Sequence, residues 1–108
     1  MKMILAIVSN DDSGRVSGHL TDEGYSVTRL ATTGGFLRAG NTTLLVGVED
    51  DKVEAVIDII AHNSKKRTRK APAPSSFGSG GVSSAFPVEV TVGGATIFVM
   101  NVERFEKH

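Results

Sequence analysis

Segments of strand-like and helix-like hydrophobic period succeed one another along this chain in a fixed order, and that order limits its possible folds more than any other feature. Met3 to Val8 is an apolar run with branched side chains, halted by Ser9-Asn10-Asp11-Asp12. It predicts a central strand followed by a helix cap. Between Asp12 and Glu23, Val16 and Leu20 stand at helical spacing, but Gly14 and Gly18 lie in the same stretch. Each glycine costs about 1 kcal/mol relative to alanine, so packing has to hold this helix, and Gly24 is its natural stop. Tyr25 to Ala31 alternates as a second strand and runs into Thr32-Thr33-Gly34-Gly35; Thr42 to Val48 is β-branched and predicts a third strand, hairpin-paired with the second.

After Asp51 and Glu54, spaced as a capping box, Val53, Val56, Ile57 and Ile60 form an apolar stripe at 3, 4 and 7. Residues 65–86 change character: five basic side chains from Lys65 to Lys70 precede a Pro/Ser/Gly stretch with little to bury. That composition predicts a long mobile loop. Pro87 to Val92 alternates Val88, Val90 and Val92, Gly93-Gly94 suits a two-residue turn, and Ala95 to Met100 is apolar again. A closing hairpin is expected.

The order β-α-β-β-α-β with an extra C-terminal hairpin strand predicts an α+β, ferredoxin-like sandwich with both helices on one face of the sheet. At 108 residues with 40% hydrophobic content, one domain spanning 1–108 is expected. The alternating valines and the apolar 95–100 strand exceed what one helical layer covers, so burial of the other sheet face against further copies of the chain is expected.

Twelve basic residues balance twelve acidic ones, so no net field draws the chain to nucleic acid or an anionic membrane. The absence of cysteine excludes disulfides and thiolate chemistry and fits a reducing compartment; a cytoplasmic location is expected. The apolar start is too short for a membrane span, and the acidic pair after it does not suit a signal peptide. His19, His62 and His108 have no spacing of a metal or acid–base set, so a non-enzymatic protein is expected. Glu49, Asp50, Asp51, Glu54 and Asp58 are accounted for by helix capping and a solvated helix face, and the basic run lacks the interleaved aromatics of a single-strand binder.

The stretch richest in chemistry is Ala31 to Thr43. Its glycines let backbone N–H groups converge on an anion, hydroxyls and the Asn41 amide can read polar edges, and Phe36 offers a stacking face. A plain hairpin connection is the alternative, but Phe36 and Leu37 would be two large apolar groups at a polar tip, which suits packing on a ligand or a neighbouring subunit.

From Leu30-Ala31-Thr32-Thr33-Gly34-Gly35-Phe36-Leu37-Arg38-Ala39-Gly40-Asn41-Thr42-Thr43, through Gly47-Val48-Glu49-Asp50, to Pro87-Val88-Glu89-Val90 and Val92-Gly93-Gly94-Ala95-Thr96-Ile97-Phe98-Val99-Met100, the sequence resembles the PII-like cyclic di-AMP receptor family. The resemblance implies a non-catalytic signal receptor. Its expected form is a homotrimer binding cyclic di-AMP in clefts between subunits, with a short loop at 33–42 and a long flexible loop at 65–86 that orders on binding. Carried over by motif position, the ligand contacts are Thr28, Gly35, Phe36, Leu37, Asn41, Gly47 and Phe98. Better-known members resembling this chain have an amide residue and an arginine where it has Gly24 and Ser26. Strand alternation puts Arg29 on the opposite face from Thr28, which makes Arg38 the candidate for the phosphate. The competing expectation is a PII-type interaction module that docks on a transporter or enzyme through its long loop and has a degenerate nucleotide pocket.

Overall fold

The structure, a computed structural model, describes residues 1–30, 40–72 and 87–108. In chain order the elements are β1 (Lys2–Ser9), α1 (Asn10–Asp22), β2 (Val27–Leu30), β3 (Asn41–Val48), a single 3-10 turn (Asp50–Lys52), α2 (Val53–His62), β4 (Arg67–Pro72), β5 (Pro87–Val92) and β6 (Ala95–Asn101). Four strands form one antiparallel sheet in the order β2-β3-β1-β6, and β4 and β5 form a separate two-stranded ribbon. This is the α+β, ferredoxin-like arrangement.

Burial along the strands has a period of two. Ile4, Ala6 and Val8 of β1 and Leu44, Val46 and Val48 of β3 close over Val16 and Leu20 of α1 and Val56 and Ile60 of α2. Register explains the match, since Ile4 lies opposite Val46 and Ala6 opposite Leu44, so these side chains share one face. Ile97 of β6 and Tyr25 and Val27 beside β2 pack at the rim of this core. Helix α1 ends in a Schellman motif: Gly24 takes φ +91°, its amide donates to the Thr21 carbonyl at 2.9 Å, and the Tyr25 amide donates to the Leu20 carbonyl at 3.0 Å. Gly24 is therefore required by the helix stop.

Gly14 and Gly18 are exposed, and a Cβ at either would meet nothing within 4 Å. Replacing either by alanine should raise stability by about 1 kcal/mol through helix propensity alone. Thermal unfolding of Gly14→Ala and Gly18→Ala checks this, with an increase in Tm expected for each.

Four expectations change. The closing hairpin does not form: β5 pairs with β4, and β6 instead runs antiparallel to β1, with Phe98 opposite Leu5. Gly93 and Gly94 both adopt φ +87°, and the Gly94 amide donates to the Ser64 carbonyl, so the pair turns the chain from one sheet to the other. The start of the expected loop, Arg67–Pro72, is a strand, because β5 supplies a ladder partner that a basic segment does not advertise. Residues 73–86 lie outside the described residues. The valines of β5 belong to the ribbon and not to the open face of the main sheet. The capping box at Asp51 and Glu54 is not made either; Asp50–Lys52 forms the 3-10 turn with no side-chain cap, and Asp50 pairs with the N-terminal amine at 2.9 Å.

Candidate functional site

The residues of β1 that do not face the helices are Met3, Leu5 and Ile7, and alternation sends them to the opposite, outer face of the sheet. Register extends that face across all four strands. Thr28, Leu45, Leu5 and Phe98 form one transverse row, and Gly47, Met3 and Met100 form the next. Phe98 is 52% and Met100 43% exposed, and Leu30 at the β2 edge is exposed as well. Val99, on the helix side opposite Ile4, is 44% exposed too, so β6 is the strand least covered on either face.

At one end the face dips into a cleft of about 290 Å³ lined by Met1, Met3, Ser26, Thr28, Leu45, Gly47, Val102 and Phe105. Gly47 forms its floor: a Cβ there would lie 3.1 Å from Met1 Cε and meet nothing else within 4 Å. The cleft is mostly apolar, with the hydroxyls of Ser26 and Thr28 as its polar groups, a mix suited to the faces and edges of a heterocycle.

Asn41 sits elsewhere. It pairs with Ser9 at the far end of β3, about 20 Å along the strand from Gly47, and with Ser9 and Gly93 it borders two adjoining hollows, together the Asn41 cleft. The first, polar, is lined also by Lys66, Gly94, Ala95 and Thr96, and the second by Asp11, Gly40 and Thr91. Of the expected contacts, then, the structure brings Thr28 and Gly47 together, places Phe98 in Thr28's row three strands away, and puts Asn41 at the opposite end. Arg29 lies opposite Leu44, on the core-facing side and away from Thr28. Gly35, Phe36, Leu37 and Arg38 lie outside the described residues.

Sequence reasoning missed Met1, Met3, Leu45, Val102 and Phe105 as cleft walls. Alternation along β1 and β3 carried enough signal for Met3 and Leu45, whereas Phe105 follows the last strand in a segment without period. His19 and His62 are exposed and flank a shallow groove between the helices with Glu23 and Asp58. Among the described residues, no three His, Asp or Glu side chains gather as a metal would need, and no helix is long and apolar enough to cross a membrane.

Beside the Asn41 cleft is a buried carboxylate. Asp12 in the first turn of α1 is fully buried and receives Arg67 Nη2 at 2.9 Å and Arg15 Nη2 at 2.8 Å on Oδ1, with Arg67 Nη1 at 3.3 Å from Oδ2. The Arg67 hydrogen bond foremost holds the Asp12 carboxyl below its ordinary 3.8; burial opposes this, and the charges of Arg67 and Arg15 add to it. A carboxyl lowered in the folded chain stabilises the fold above its unfolded-state value and loses that contribution as pH falls through the folded one. Urea midpoints should therefore fall with acid below about pH 4. Asp50, lowered by the N-terminal amine, acts in the same window, so the share due to Asp12 is read as a shallower acid slope in Asp12→Asn.

A family model described as cyclic-di-AMP receptor matches residues 1–108. Among solved structures, the chain is similar to a functionally unknown protein from Pediococcus pentosaceus, with 36% sequence identity, a TM-score of 0.74 and coverage of 99% of this chain and 96% of that one. A ferredoxin-like sheet and a family match along the full length agree with one another: the chain belongs to the cyclic-di-AMP receptor family, whose role is receptor-like.

Proposed function

We propose that this protein binds cyclic di-AMP between copies of itself, with the outer face of the sheet as the contact surface and the ligand held where one copy's Thr28–Gly47 cleft meets the Asn41 end of the next. The observation that carries this reading is the separation of Asn41 from Gly47 by about 20 Å on one strand. Within one chain the two ends make separate clefts; a neighbouring copy seated on the exposed apolar face would bring them together. A closed ring of copies has one such junction per chain, and three-fold closure is the form that the family resemblance implies. Arg38 and residues 35–37, which sit between β2 and β3 in sequence, are the proposed phosphate and base contacts. Signal output through the 65–86 segment, whose first part is strand β4, belongs to the same reading.

Calorimetric titration with cyclic di-AMP, cyclic di-GMP, AMP and ATP tests the proposal; saturable binding of cyclic di-AMP is expected, and silence from the whole panel with the assembly intact overturns it. A Cβ at Gly47 meets only the flexible end of Met1, so the backbone accepts a side chain there, and Gly47→Leu should weaken binding by at least about tenfold by filling the cleft, with circular dichroism checking that the variant folds. Thr28→Val, which removes one neutral hydrogen bond at nearly constant shape, should weaken binding about fivefold.

A further inference from the structure

A two-stranded ribbon is at best marginally stable alone, so β4–β5 needs attachment to the main body. The attachment is concentrated at its root. The Arg67 guanidinium reaches fully buried Asp12 through two hydrogen bonds, 2.9 and 3.3 Å long, and also donates to the Lys65 carbonyl at 3.1 Å. At the other strand's end, Gly93 packs so closely that a Cβ would collide with the Lys65 carbonyl and stand 2.8 Å from Arg67 Nη1. Two residues before Asp12, Asn10 holds a different segment: its amide donates to the Gly40 carbonyl at 2.7 Å, and its side-chain carbonyl accepts from the Thr42 hydroxyl. Gly40 and Thr42 bracket Asn41.

We propose that the first turn of α1 is a clamp joining the two segments beside the Asn41 cleft, Asn10 fixing the end of the glycine-rich segment and Asp12, through Arg67, fixing the root of the β4–β5 ribbon. Asp12 and Asn10 are thus positioning residues, and the inference that the clamp serves a ligand rests on the function proposed above. The clamp itself does not. Burial makes the ion pair demanding: once Arg67 is removed, only Arg15 among these partners remains to face a carboxylate that water does not reach. Loosening at either end of the turn would then be felt at the other, because Asn10 and Asp12 share one rigid helical turn. Among the described residues, the charged groups facing Asp12 are Arg15 on α1 and Arg67 on β4.

Hydrogen exchange on the full chain without nucleotide tests the clamp, comparing wild type with Asp12→Asn, Arg67→Gln and Asn10→Ala. Arg67 is 42% exposed, so Arg67→Gln keeps the test sound if Asp12→Asn folds poorly. Arg67→Gln should speed exchange of the ladder amides in 67–72 and 87–92 at least about tenfold while β1 and the 44–48 part of β3 stay protected. Asn10→Ala should speed exchange at 41–43 and, more weakly, in the ribbon. Unchanged ribbon protection in Arg67→Gln, or an equal loss throughout β1 and β3, overturns the clamp. Titration of Arg67→Gln with cyclic di-AMP then reads the link to the site: affinity should fall at least about threefold, and wild-type affinity in a chain with a loosened ribbon overturns that link. A wild-type chain that binds no nucleotide would defeat the proposed function while the exchange result still decides the clamp.

Discussion

Phe98→Asp should convert the assembly into monomers and abolish cyclic di-AMP binding without unfolding the chain. Phe98 stands at the centre of β6 on the outer face, opposite Leu5, and is 52% exposed in the single chain. A carboxylate there remains solvated in the monomer, so the helix-side core of Ile4, Leu20, Leu44 and Ile60 is untouched. Seating a second copy on that face would bury the charge against Leu5, Met3 and Met100, a penalty of several kcal/mol at each junction, enough to move a contact of ordinary strength to the monomer side at micromolar concentration. Light scattering should report the monomer mass at micromolar concentration, circular dichroism should match wild type, and calorimetry should show no heat with the nucleotide. An assembly of unchanged mass would remove the outer face from the interface.

Leu20→Ala should be the most damaging of the conservative core changes, lowering stability by about 3 kcal/mol. Leu20 is fully buried on α1 against β1, β3 and α2, and it also supplies the carbonyl that receives the Tyr25 amide at the Schellman stop. Helix α1 carries Gly14 and Gly18 and therefore has little propensity of its own to oppose the loss. Urea unfolding of the variant should show a lower midpoint with an unchanged slope. Adding Gly18→Ala should recover about 1 kcal/mol of the loss, since that substitution acts through helix propensity and makes no new contact.

The two helices and β1, β2 and β3 were legible because their apolar residues repeat with the period of the element that buries them: Val56 and Ile60 at one helix face, Ile4, Ala6 and Val8 at one sheet face. The strand partners of the last third were not legible. Val88, Val90 and Val92 alternate as any strand would, and nothing local says whether their partner is β4 or β6. Arg67 to Lys70 reads as a solvated basic run, and its strand character comes from the partner ladder. Asp12 shows the same limit at the site: in sequence it is one more carboxylate in the first turn of a helix, and its burial depends on an arginine 55 residues away. The outer face was expected from the placement of both helices on one side, but its residues had to be read from the register of β6 on β1.

Native mass spectrometry of the full chain titrated with cyclic di-AMP addresses the central claim most directly, because it counts copies and ligands in the same ion. A ligand completed by neighbouring copies predicts an oligomer that takes up one cyclic di-AMP per chain, with no ligand on residual monomer. Cyclic di-AMP carried by the monomer, or an intact oligomer that takes up none, would contradict it.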